Sequence, residues 1–383
     1  MSLTNFSSGT SVTFKDTKQH YQILDGLRGV AALMVVAFHF LETHAASRFE
    51  QVINHGYLAV DFFFVLSGFV IGYAYDDRWN NMTITEFFKR RLIRLHPMII
   101  VAMIIGAVMF YFQDCKVFPN IHDAQLWQVL LTMAIGMTLI PLSPSMDVRG
   151  WQEMHPLNGP AWSLFFEYVA NILYALFIRR FSNTALAIFV FIFGCATIHY
   201  TVWGEHGDVI GGWSLAPDQL QIGFTRLMYP FFAGLLLSRI VKPGQIQNAF
   251  LICSLAVIAI LATPRIGNAE TTWMNGIYES LCIIIFFPLI VYMGASGSIK
   301  QGSLSRVCDF LGGISYPIYI IHYPIIYTYT AWVANNNISL KDGWPIALGG
   351  YVASIGVAYL CLKFYDVPVR QWLGKRFMTK KLG

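Results

Sequence analysis

The segment LDGLRGVAALMVVAFHFL, from Leu24 to Leu41, constrains this chain more than any other stretch. It is apolar enough to lie in a bilayer as a helix, and at 1.5 Å per residue it covers about 27 Å, most of the ~30 Å hydrocarbon layer. Yet it carries Asp25, Arg28 and His39. An ionisable side chain at mid-membrane costs roughly 2.5–3.5 kcal/mol, so such residues turn towards a protein interior or a wet cavity. The spacing from Arg28 to His39, at about 100° per residue, is three turns plus roughly 20°. A cation and a titratable base therefore share one helical face, about 16 Å apart along the axis. That arrangement points to chemistry conducted across a membrane.

Composition places the rest of the chain in the same setting. Of 383 residues, 56% are hydrophobic and 12% charged, whereas a soluble domain carries about 25% charged residues. The net charge of +5 does not indicate nucleic acid, because the basic residues sit between apolar runs, as they do in membrane proteins. The six cysteines are scattered, with no CxxC pair and no His/Cys cluster at metal spacing, so no metal site is expected. The first twenty residues are polar and hold no h-region, so 1–20 is expected to be a disordered cytoplasmic tail. The first span itself is then expected to direct insertion.

Apolar runs place spans near 24–41, 57–75, 97–113, 160–178, 184–203, 220–240, 249–263, 274–294, 312–332 and 344–364. A further run, 124–140, is expected to be re-entrant or interfacial. With that segment not crossing and the N-terminus cytoplasmic, Lys and Arg gather on the inner side, leaving Arg48, Lys116, Arg149, Arg265 and Lys341 outside. The positive-inside rule favours this orientation. The expected fold is an all-α polytopic membrane bundle of about ten transmembrane helices. Residues 21–366 form the membrane domain and 367–383 a basic cytoplasmic tail. The Pro-rich segment 141–160 then faces outwards, in position to cover a site as a lid.

Several polar positions interrupt the apolar runs. In the second span Asp61 lies at about the depth of His39, and two readings stand: a partner that fixes the imidazole tautomer, or a structural partner of Arg226. In EFFKRRLIRLHP, Arg91 and Arg94 are three residues apart and share a helical face. They either anchor the third span or, as a paired guanidinium face, grip phosphates. Ser163, Glu167 and Asn171 recur every fourth residue, a polar stripe on the fourth span, and an intramembrane carboxylate is a functional candidate by default. Arg226 suits an ion pair or an anionic group in equal measure. Ser315, Tyr319 and His322 lie on one face of the ninth span, a buried structural set or a polar path beside Pro317 and Pro324.

Taken in order, LDGLRG, the Arg28-to-His39 spacing, GYLAVDFFFVLSGF, RRLIRLHP, WSLFFE, RLMYPFFAG and SYPIYIIH resemble acyltransferase family 3. These are multi-pass membrane proteins that O-acylate extracytoplasmic glycans and related acceptors. The resemblance runs from about residue 20 to 330. It implies a cytoplasmic acyl-CoA donor, acetyl-CoA by default, and a carbohydrate or glycolipid hydroxyl as acceptor across the inner membrane, with both termini cytoplasmic. By motif, His39 resembles the family's essential histidine and Arg28 its partner. Arg91 and Arg94 match the arginines that engage the donor's phosphates, with Arg28 as a further contact. Glu167 matches the acid of the tryptophan–serine motif, and His322 falls on a late histidine position. The implied site has His39, Glu167 and Asp61 as catalytic groups, with Glu167 or Asp61 orienting His39. Ser163, Arg226, Tyr319 and His322 line the substrate path. A proton-coupled transporter or flippase is the competing class, but this sequence has neither inverted repeats nor paired interrupted helices.

Overall fold

A computed structural model describes residues 20–241, 244–299 and 301–378. Apart from His20, the expected N-terminal tail lies outside the described residues, as do Lys380 and Lys381. The apolar runs form helices α1 Gln22–Glu42, α2 Ala59–Tyr75, α3 Ile84–Tyr111, α4 Leu126–Gly136, α5 Ala161–Leu176, α6 Asn183–Trp203 and α7 Pro217–Ile240. After these come α8 Ala249–Ala262, α9 Thr272–Leu281, α10 Phe287–Ala295, α11 Ser303–Asn336, α12 Leu340–Cys361 and α13 Val367–Met378. Five-residue π turns, Cys282–Phe286 and Leu362–Asp366, join α9 to α10 and α12 to α13 as continuous rods. Among the described residues, 7 helical units are long and apolar enough to cross a membrane. Helices α5 and α8 are apolar but shorter. Helix α11 has the length, with 34 residues, but its Tyr, His and Pro residues dilute its apolar character. The protein is an all-helical, polytopic membrane bundle.

The 124–140 run yields only α4, whose 11 residues span about 16 Å, half the hydrocarbon thickness. It packs on α3. The boundary expected at 366 falls inside the α12–α13 rod, and α13 lies against α3. The described part of the basic segment, to Met378, is therefore helical and runs beside α3.

Two close helix pairs set the frame. Helix α2 lies on α7 with Gly68 against the Phe231 carbonyl and Gly234 against the Val65 carbonyl. A side chain at either glycine would hold the backbones apart, the usual reason for small residues at membrane helix contacts. In the same way, Gly29 of α1 meets Leu311 of α11, and Gly312 meets Asp25. Helix α1 is thereby enclosed, with Leu27, Ala31, Ala32 and Val36 fully buried. Helix α3 opens on a capping box, in which the Thr83 hydroxyl accepts from Glu86 N and the Glu86 carboxylate accepts from Thr83 N. That cap starts the helix that carries Arg91 and Arg94, about two and three turns further on.

The 141–160 segment is a pinned plug rather than a free lid. Leu142 N donates to the Met154 carbonyl at 3.0 Å, Met154 N to the Trp213 carbonyl at 2.7 Å, and Asn158 Nδ2 to the Ile320 carbonyl at 2.7 Å. Arg149 is fully buried, with its guanidinium 3.5 Å from the centre of the Tyr327 ring. These contacts tie the segment to α11 and to the loop at Trp213.

Candidate active site

A cavity of 440 Å³ runs lengthwise through the bundle between α1, α2, α3, α5 and α11. On α11 its wall extends from Asp309 to Tyr319, a rise of about 15 Å. At the Asp309 end it is polar, with Arg28, Arg94 and Arg370 opposed by Asp25, Asp309 and Asp366. At the other end Val60, Phe63 and Leu164 make up an apolar throat beside Ser163 and Tyr319. One cavity thus offers cationic groups at one end and a lipophilic channel beyond them.

The arginines differ in their engagement. Arg28 pairs with Asp25 one turn away on α1, and Asp25 also meets His20 at 2.8 Å. Arg91 is 4% exposed and pairs with Glu167, which also accepts from the Ser67 hydroxyl at 3.0 Å. Arg94, one turn further along α3, lines the same cavity. Arg28, Arg91 and Arg94 all line this one cavity.

At the throat the Ser163 hydroxyl and the Tyr319 phenol lie 2.7 Å apart, and the ring of Phe63 stands edge-on to Tyr319. One helical turn beyond Tyr319 is His322, fully buried, its ring centroid 6.2 Å from that of Tyr319. His322 stacks on His39 at 5.4 Å, and Tyr323 meets His39 edge-on at 4.8 Å. The Nδ1 of His322 lies 3.0 Å from the Ile318 carbonyl. A carbonyl only accepts, so Nδ1 carries the proton and the unpartnered Nε2 holds a lone pair. The two histidines singled out in the sequence, on helices remote in the chain, are one stacked pair.

Neither carboxylate expected to orient His39 does so. Asp61 is fully buried and receives both Nε and Nη2 of Arg226, at 3.2 and 2.8 Å to Oδ2. Arg226 is further held by the Tyr57 carbonyl at 2.6 Å and the Gly211 carbonyl at 3.3 Å, with the Trp162 ring over it at 5.1 Å. The structural reading of Asp61 is the one realised, and Arg226 is removed from the substrate path. The reason is register, because the close α2–α7 packing presents Asp61 directly to Arg226. Glu167 is taken by Arg91 for a similar reason, facing α3 rather than α1. The carboxylate beside His39 is Glu42, with Oε1 3.3 Å from His39 Nδ1, within ion-pair range although Nδ1 makes no hydrogen bond. Glu42 falls outside the residues the sequence analysis singled out. Its signal is the i,i+3 spacing on α1.

The plug adds polar groups that no sequence motif marked. Glu153 accepts from the Tyr327 hydroxyl at 2.5 Å, and burial pushes its carboxyl up to about 8. His155 is 1% exposed with neither ring nitrogen partnered, and burial pushes it down to about 3, so it is held neutral. Their signal was faint, since polar residues in a Pro-rich loop ordinarily face water. Among the described residues, no group of three or more His, Cys, Asp or Glu side chains is placed to hold a metal ion.

A cationic-to-apolar cavity that ends near a stacked histidine pair, inside a membrane bundle, suits a two-substrate transfer enzyme. A family model described as "Acyltransferase domain" (Acyl_transf_3) matches residues 21–363, so the chain belongs to acyltransferase family 3. Among curated relatives, "O-acetyltransferase OatA" of Staphylococcus aureus is 23% identical over 94% of this chain and 59% of its own length. "Acyltransferase MdmB" of Streptomyces mycarofaciens is 22% identical over 92% of both chains. "Protein 2 in picA locus" of Rhizobium radiobacter is 34% identical over 41% of this chain and 82% of its own length. This chain therefore spans a little over half of OatA. No solved structure matches. The protein is a membrane acyltransferase, and the transporter alternative falls away.

Proposed function

We propose that this protein moves an acyl group, acetyl by default, from cytoplasmic acyl-CoA to a hydroxyl of a carbohydrate or glycolipid on the far side of the inner membrane. The observation that carries the reading is the single cavity leading from the arginines to within one helical turn of the His39–His322 pair. In this reading Arg28, Arg91 and Arg94 hold the donor's phosphates, and both termini are cytoplasmic. The pantetheine arm lies along the channel towards Tyr319 and Ser163. Two relatives carry acyltransferase and O-acetyltransferase names, which supports the reaction class, and the acyl donor and the acceptor are part of the proposal.

The chemistry needs one base. We assign it to Nε2 of His39, with Glu42, 3.3 Å from Nδ1, placed to stabilise the imidazolium that forms. The acceptor hydroxyl gives its proton to that nitrogen as its oxygen attacks the thioester carbon. The carbon–sulfur bond breaks, the acyl group passes to oxygen, and the imidazolium returns the proton to the departing CoA thiolate. Glu167 acts at a distance from this step by holding Arg91 on the cavity wall.

His39→Ala is the direct test. General-base assistance is worth about 10²–10⁴ in rate, so acyl transfer should fall at least about a hundredfold while the purified variant keeps its melting temperature. Retained transfer would remove the central claim. Comparing O-acyl content of surface glycans from cells with and without the gene tests the acceptor class.

A further inference from the structure

Residues beyond the family match at 363 also reach the cavity. Asp366 closes the π turn, and Arg370 lies one turn into α13, both lining the cationic end of the cavity with Arg94. They pair with each other at 2.8 Å, but the pair is incomplete. Asp366 is 2% exposed and its Oδ1 has no hydrogen-bond partner, and Arg370 Nε has none either. A buried carboxylate oxygen left unmatched is costly. The π turn re-aims side chains relative to a regular helix and leaves this half-made pair at the mouth of a cavity. The contrast with Arg226, whose three nitrogens all donate, marks Arg370 as a guanidinium with capacity to spare.

From this we infer that Arg370 is a ligand for a phosphate at the nucleotide end of the donor, and that Asp366 is its stand-in partner, displaced when the phosphate arrives. The inference rests on the donor reading above. It adds the C-terminal helix to the donor site and makes Asp366 a competitor for that site rather than a member of it. Arg28, Arg94 and Arg370 then approach the mouth from α1, α3 and α13, and a guanidinium fork suits phosphate oxygens. Asp366 keeps the empty mouth from holding an unbalanced cation.

The two residues therefore have opposite expected signs. Binding is measured by titration calorimetry on the full chain in nanodiscs, with acetyl-CoA, its 3′-dephospho form and S-acetylpantetheine as probes. Arg370→Ala should weaken acetyl-CoA at least tenfold and leave S-acetylpantetheine unchanged. Asp366→Asn should leave acetyl-CoA binding as tight or tighten it several-fold. If Arg370→Ala weakens the 3′-dephospho form equally, the diphosphate is the group held. If that form escapes, it is the 3′-phosphate. The inference is overturned if Arg370→Ala binds acetyl-CoA as wild type does, if it weakens all three probes alike, or if both variants lose affinity together, as a purely structural pair would. A wild-type protein that binds no CoA compound would instead remove the donor reading itself.

Discussion

Two of the arginine–carboxylate pairs that cross this bundle differ in how completely they are matched. Asp61–Arg226, between α2 and α7, is fully enclosed, and every nitrogen of the guanidinium donates. Arg91–Glu167, between α3 and α5, lines the cavity, with the Glu167 side chain 17% exposed and Arg91 Nε unmatched. In sequence the two look alike, an acid and an arginine inside apolar runs. The difference teaches that completeness of solvation, not charge or depth, separates a clamp from a site. A saturated pair in a dry place holds helices together, and one left open to a cavity is free to exchange partners.

That contrast breaks most visibly at Asp61. Asp61→Asn leaves Arg226 charged, buried and short of its partner, a change that typically costs 3–5 kcal/mol. A large drop in melting temperature in detergent, or loss of folded protein, is expected. An unshifted melting temperature would mean that the pair is not a clamp.

Arg91→Ala should behave in the other way. A hydrogen bond to a charged group is worth about 1.5–3 kcal/mol, so acetyl-CoA should bind roughly ten- to a hundredfold more weakly, while the melting temperature moves far less than for Asp61→Asn. Unchanged donor affinity in calorimetry would take Arg91 out of the donor site. Glu167→Gln should weaken donor binding through Arg91, by a smaller factor than Arg91→Ala does, with stability again little altered.

The smallest effect sharpens the comparison from a third carboxyl. Glu153 lies near Arg149, but that guanidinium donates to the Pro156 carbonyl and to Gln113 instead. Without a guanidinium on it, burial raises the Glu153 carboxyl from its ordinary 4.5 to about 8. The folded protein then binds this proton more tightly than the unfolded chain does. The stabilisation is complete below about pH 4.5 and is lost as pH rises through about 8. Glu153→Gln should flatten the decline in melting temperature over that window. A decline identical to wild type would mean that Glu153 does not titrate there.

Much of the site was legible because membrane helices make spacing informative. Arg28 and His39 on one face of α1, Arg91 and Arg94 a turn apart on α3, and Ser315 and Tyr319 on one face of α11 all follow from helical period in an apolar run. The assignment of partners was not legible. Asp61 and Glu167 both sit in the same kind of context as a partner for His39, and only the rotation and approach of α2 against α7 and of α5 against α3 gave each to an arginine. Glu42 was hidden for the opposite reason, since it lies at the end of α1 where a glutamate reads as an ordinary surface residue. The 141–160 segment reads as a lid because Pro and Gly mark loops, and period says nothing about burial of an irregular segment. Arg149, Glu153 and His155 are buried because the bundle has a gap that the loop fills.

By itself the sequence determined that this chain is a bundle of membrane helices with costly polar residues inside, because local apolarity and period fix those properties segment by segment. The tertiary structure decided which polar residues meet. It stacked His39 on His322, closed Asp61 onto Arg226, and brought Asp366 and Arg370 to the mouth of a cavity whose walls come from helices far apart in the chain. Pairing depends on helix rotation and separation, which are set by close packing at glycines such as Gly68 and Gly312 and which no single segment encodes.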